Sequence, residues 1–155
     1  MNRSEFVYVV YIKTTPDKLW YSLTNPEFMK QYWLGTHCES DWKAGSEWKM
    51  VSEGGEITDM GEITESDPPK RLVIKWRHEW RPELKAEGYS HCAFEIEPID
   101  NATKLTVTHV IDKKPSKLIE AVSGGWPKIL SNLKSLLETG QIVIERKCGQ
   151  TNPKG

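Results

Sequence analysis

Trp126-Pro-Lys-Ile-Leu-Ser-Asn-Leu-Lys-Ser-Leu-Leu-Glu-Thr139 is the stretch whose reading decides the fold. Trp126, Ile129, Leu130, Leu133, Leu136 and Leu137 recur at helical spacing, with Lys128, Asn132, Lys134 and Glu138 between them. Pro127 stands near the start and Gly140 just past the end, the positions each favours around a helix. The spacing predicts one helix over 126–139, roughly 21 Å long at the usual rise. Gly124-Gly125 reads as a tight turn leading into it.

Upstream of that helix the periodicity changes. Phe6–Lys13 is rich in β-branched and aromatic residues and reads as a strand. Thr15-Pro16-Asp17 and Asn25-Pro26-Glu27 each carry a capping side chain, a proline and an acid, so two short helices are expected in series, the second ending at Gly35. Six further strands are expected at 38–43, 46–52, 56–65, 72–80, 90–97 and 104–111. The turns between them are short, which implies an antiparallel meander. Alternation places Leu72, Ile74, Trp76, His78 and Trp80 on one face and Val73, Lys75, Arg77 and Glu79 on the other. Trp48 and Met50, Cys92, Phe94 and Ile96, and Leu105, Val107 and His109 follow the same inward rule. Trp42 falls out of phase and is expected to be exposed. The sheet is therefore apolar on one face and charged on the other.

The whole chain has 155 residues, with 37% hydrophobic and 28% charged, a composition that folds as one domain without disulfides or metal. A single domain is expected over 1–148, with a loose tail at 149–155. The net charge of −1 argues against nucleic acid as a partner. The first 70 residues lean acidic and residues 113–155 lean basic, so the two ends compensate each other or the basic part offers a face to an acidic partner. No stretch is long and apolar enough for membrane insertion, and the N-terminus lacks the pattern of a signal peptide. A cytoplasmic protein is expected. Cys38, Cys92 and Cys148 are widely spaced and read as free thiols. The histidines have no local ligand spacing, so no metal is expected. Gly124-Gly125 lacks the lysine of a phosphate loop, and no cofactor is expected.

A seven-stranded sheet is much wider than one helix, which is about 10 Å across. Either bulky side chains fill the difference or a hollow remains. The inward residues Trp33, Trp48, Met50, Ile63, Ile74, Trp76, Phe94, Val107, Trp126, Leu130 and Leu133 are the expected lining, with His78 and His109 as polar groups that orient a guest. The charged segment 81–88, with Pro82 and Gly88, is expected to form a mobile lip. A space of at least about 300 Å³ is needed for a drug-sized guest.

The stretches Thr15-Pro-Asp-Lys-Leu-Trp20, Thr24-Asn-Pro-Glu27, Tyr32-Trp33 and Ser40-Asp-Trp-Lys-Ala-Gly45 carry a family resemblance. So do Asp67-Pro-Pro-Lys-Arg-Leu-Val73 with Trp76, Thr103-Lys-Leu-Thr-Val-Thr-His109 and Gly124-Gly-Trp126. In this order they resemble the activator of Hsp-90 ATPase homologue family, of the START-like, Bet v 1-like (SRPBCC) superfamily, over about residues 6–140. The resemblance implies an α+β helix-grip fold, in which a curved seven-stranded antiparallel sheet wraps a long C-terminal helix. It also implies a deep apolar cavity. Superfamily members bind lipids, sterols, polyketides, flavonoid-like compounds and hormones, and some cyclise or dehydrate polyketides in the cavity. The family's eukaryotic namesake is a co-chaperone with an additional N-terminal domain, whereas this sequence opens directly on the helix-grip strand.

The leading expectation is a protein that binds a small hydrophobic molecule between sheet and helix. A chaperone cofactor or other protein-interaction module is one alternative. A cyclase or dehydratase using His78 or His109 as general acid or base is another. No nucleophile–base motif such as Gly-x-Ser-x-Gly is present, so the sequence leans away from an enzyme.

Overall fold

The computed structural model describes residues 3–145. The expected tail and Cys148 lie outside that range. Its elements run β1 (Ser4–Ile12), α1 (Pro16–Thr24), α2 (Pro26–Tyr32), β2 (His37–Ser40), β3 (Glu47–Val51), β4 (Ile57–Asp67), β5 (Arg71–His78), α3 (Pro82–Lys85), β6 (Ser90–Ile99), β7 (Ala102–Ile111) and α4 (Lys117–Thr139). The strands form one seven-stranded sheet in the order β1-β7-β6-β5-β4-β3-β2, with every neighbouring pair antiparallel. Strands β2 to β7 are a plain meander, and β1 closes beside the last of them. Chain order and α+β class agree with the expectation from sequence.

Both short helices start as their sequence dictates. The Thr15 hydroxyl accepts from the Lys18 amide and the Asn25 side-chain Oδ1 accepts from the Phe28 amide, each just before a proline at the first helical position. Register shifts at Met50/Val51 and Ile63/Glu65 insert bulges into β3–β4 and β4–β5, the usual means of bending a sheet. Gly61 lies between them, where a Cβ would come within 1.7 Å of the Lys75 carbonyl oxygen.

Three expectations are corrected. First, α4 has 23 residues, about 34 Å, and begins at Lys117, not at 126. Ser116 is its cap, accepting from the Ile119 amide, and Gly124, Gly125 and Pro127 all lie inside the helix. The diglycine is therefore not a turn. Leu118 and Ile119 bury against Leu84 and Ile111, and this packing carries the helix through a poor local sequence. Asn132, read as one of the polar residues between apolar positions, is in fact buried. Second, β5 ends at His78, and Trp80 is 64% exposed instead of inward. Third, β2 stops at Ser40, and Trp42 adopts a left-handed conformation (φ 61°) that turns its ring back against the core.

The core lies between the inner face of the sheet and α4, which packs on β1, β7, α2 and α3. Cys38 and Cys92 are buried free thiols, and burial pushes both thiols up from their ordinary values.

Candidate functional site

The expected hollow is largely occupied by aromatic rings. Trp48 lies 4.5 Å from Trp76, ring centre to ring centre. Trp76 meets Trp126 edge-on at 5.9 Å, and Phe94 and Trp33 close on Trp126 at 5.7 and 5.5 Å. Such tilted and edge-to-face contacts are the favoured aromatic geometries, so these rings pack as core. Trp48, Ile63, Ile74, Phe94, Val107, Leu130 and Leu133 belong to this solid interior, as does the fully buried His109. None of these eight expected lining residues lines the opening described next.

What remains is an opening of about 230 Å³ at the end of the sheet where β5 meets α3 and α4. It is smaller than the space a drug-sized guest needs. Of the expected residues, Trp33, Met50, Trp76, His78 and Trp126 line it. The rest of its wall comes from Leu84 of α3, from Leu118, Ala121, Val122, Gly125 and Ile129 of α4, and from Asp59 and Arg81. Of these α4 residues, Leu118, Ala121, Val122 and Gly125 escape a sequence reading that starts the helix at Trp126. Asp59 is different, because its signal is present: it stands in phase with Gly61 and Ile63, and its register partner across β4–β5 is His78.

Asp59 and His78 are the polar centre of the opening. The Asp59 side chain is 8% exposed and its Oδ2 accepts from Trp76 Nε1 at 2.7 Å. The same oxygen pairs with His78 Nδ1 at 3.1 Å. His78 Nε2 is buried and has no protein partner among the described residues. His109 is fully satisfied by comparison, with Ser90 Oγ at 2.8 Å from Nε2 and Trp126 Nε1 at 3.3 Å from Nδ1. Burial holds its pKa down to about 4, partly offset by the Asp59 charge.

The lip over the opening is pinned, a correction to the mobile segment expected at 81–88. Leu84 is buried against Leu118. Glu87 accepts from the Ser116 hydroxyl at 2.6 Å and from the Lys117 and Leu118 amides at 2.7 and 3.3 Å. Burial works to raise the Glu87 carboxyl, but these donors outweigh it and hold the group below its ordinary value.

A larger depression, about 670 Å³, lies on the opposite face of the sheet. Glu39, Glu47, Glu62, Lys49, Lys75 and Arg77 surround it, and Lys75 and Arg77 sit over the Tyr89 ring at 4.7 and 4.9 Å. It is a charged, open surface without an enclosed apolar wall.

Residues 13–138 match the family model described as Activator of Hsp90 ATPase homolog 1-like protein. The chain belongs to that family. A search of curated proteins finds no match. Among solved structures, the chain is similar to protein MLL2253 from Mesorhizobium loti, with 20% identity, 90% of this chain and 100% of that chain covered, and a TM-score of 0.76. It is also similar to PFC0360w, an HSP90 activator from Plasmodium falciparum, with 24% identity, 86% and 96% covered, and a TM-score of 0.70. The Aha1 dimer from Colwellia psychrerythraea gives 20% identity, 88% and 98% covered, and a TM-score of 0.71. At these identities the likeness establishes the fold. Among the described residues no helix is long and apolar enough to cross a membrane.

Proposed function

We propose that this family member binds a small apolar molecule, or the apolar end of a larger one, in the opening between β5, α3 and α4. The observation that carries the reading is an apolar recess of about 230 Å³ with one largely buried carboxylate–imidazole pair in its wall. A few polar groups in a mainly apolar concavity is the usual construction of a ligand site. The volume excludes full enclosure of a lipid, polyketide or flavonoid, so larger guests would leave most of their length in solvent. Affinity would come from apolar burial at about 25 cal/mol per Å². The location proposed for this activity is the cytoplasm.

The reading is tested by titrating the protein with one-ring hydrocarbons, fatty acids and flavonoids while following tryptophan fluorescence and amide NMR shifts. The expected result is a response of Trp33, Trp76 and Trp126 together with the Leu84, Leu118 and Val122 amides. No response from any compound would overturn it.

The second reading is a chaperone cofactor, supported by the family's description and by the HSP90 activator among the similar structures. Its surface would be the charged outer depression, which offers both signs of charge to a protein partner. Loss of all binding to purified chaperone, even at low salt where surface charges act furthest, would remove this reading.

A further inference from the structure

We infer that the Asp59–His78 pair makes the opening selective for a one-ring guest that carries a hydroxyl donor, a phenol being the simplest example. The inference rests on the ligand-binding reading and names the chemistry of the guest.

Indole is only a donor, so Trp76 Nε1 fixes Asp59 Oδ2 as an acceptor. His78 Nδ1 meets the same oxygen and therefore carries the proton between them. In the neutral imidazole this leaves Nε2 with a bare lone pair. Three buried side-chain polar atoms lack a protein partner among the described residues: His37 Nδ1, Trp48 Nε1 and His78 Nε2. Of their residues, only His78 lines the opening. An unsatisfied buried acceptor is costly, so a guest that donates to it gains more than an apolar guest of equal shape.

Size sets the rest. A cavity of about 150 Å³ is enough for benzene. A space of about 230 Å³ therefore admits one ring with a small substituent or two. The walls supply Trp33, Trp76 and Trp126, whose faces and edges suit a flat aromatic guest. Asp59 also lines the opening, but its Oδ2 is held by Trp76 and His78, and through that oxygen it acts as a positioning residue that sets which imidazole nitrogen holds the proton.

The experiment compares p-cresol, toluene and p-toluate by NMR titration, with imidazole ¹⁵N shifts recorded for His78. The expected result is p-cresol bound about tenfold more tightly than toluene, with the bare-nitrogen shift of Nε2 moving only for p-cresol. In His78→Phe the two should bind alike. In Asp59→Ala the carboxylate no longer fixes the tautomer, so the Nε2 ¹⁵N shift should leave its bare-nitrogen value even without p-cresol, while toluene still binds. Equal binding of p-cresol and toluene to the native protein overturns the inference and leaves the ligand-binding reading intact. Tightest binding of p-toluate overturns it too, because a cationic donor, an imidazolium or the Arg81 guanidinium of the wall, would then select the guest. Binding of no one-ring compound overturns it together with the reading beneath it. Should His78→Phe fail to fold, the native ¹⁵N shifts with and without p-cresol decide the matter.

Discussion

Trp126 Nε1 donates to His109 Nδ1 over 3.3 Å, joining α4 to β7 through the middle of the core. An indole cannot accept, so His109 Nδ1 must be the unprotonated nitrogen. Ser90 spends its one hydroxyl proton on the Trp76 carbonyl, at 3.0 Å, and so accepts from His109 Nε2. Both ring nitrogens are satisfied only when the imidazole is neutral. The residue that looked from sequence like a ligand-orienting histidine is a structural one.

This yields a pH prediction. His109 has a folded value of about 4 against about 6.5 unfolded. Between those values the unfolded chain binds the extra proton, so its contribution is complete above pH 6.5 and is lost as pH falls toward 4. From pH 7 to pH 5 the loss is about 2 kcal/mol. Urea unfolding at both pH values measures it, with His109→Gln expected to show a flatter dependence. A native His109 titrating near 6.5 by NMR would contradict the assignment.

Gly125 predicts a conflict between stability and binding. A Cβ built there meets nothing within 4 Å, yet the residue lines the opening. Glycine inside a helix costs about 1 kcal/mol relative to alanine. Gly125→Ala should therefore raise the melting temperature by about 2–4 °C. Gly125→Leu should project into the open space and weaken toluene binding. A leucine variant that binds as well as the native protein would show that the guest sits elsewhere.

Glu87 predicts how the lip is held. Its carboxylate receives the Ser116 hydroxyl and two first-turn amides of α4, where negative charge is also favoured by the helix dipole. Glu87→Ala should cost about 1–2 kcal/mol. Amide exchange at Lys117 and Leu118 should accelerate about tenfold. Unchanged exchange at both amides would mean that Leu84 packing alone holds α3 in place.

The strands were legible because period-two alternation is written plainly in Leu72, Ile74 and Trp76 and in Leu105, Val107 and His109, which are buried as expected. The start of α4 was not. Gly124-Gly125-Trp126-Pro127 imitates a helix beginning, and only the long-range packing of Leu118 and Ile119 on Leu84 and Ile111 reveals that the helix is already under way. Five of the thirteen residues in the opening's wall, Leu84, Leu118, Ala121, Val122 and Gly125, come from those hidden first turns and from α3. Alternation also gives direction without depth: it pointed Trp48 and Phe94 inward, but not that their rings would meet neighbours and fill the space.

Asn132 gives the last prediction. It lies on the buried side of α4, 1% exposed, although its place among Lys128 and Lys134 suggests a solvent position. Its Oδ1 accepts from the Val143 and Ile144 amides at 2.9 and 2.7 Å. Its Nδ2 donates to the carbonyls of Ile144 at 2.9 Å and Tyr32 at 3.3 Å. One amide thus ties the chain after α4, and the end of α2, to the helix. Asn132→Ala leaves all four backbone groups without this partner, and the cost should be about 2–3 kcal/mol in urea unfolding. Asn132→Asp keeps the acceptor but aims a carboxylate at two carbonyls, so it should be no better than alanine at pH 7. An aspartate variant as stable as the native protein would show that the two donated bonds contribute nothing, and that the segment is held by its acceptor contacts alone.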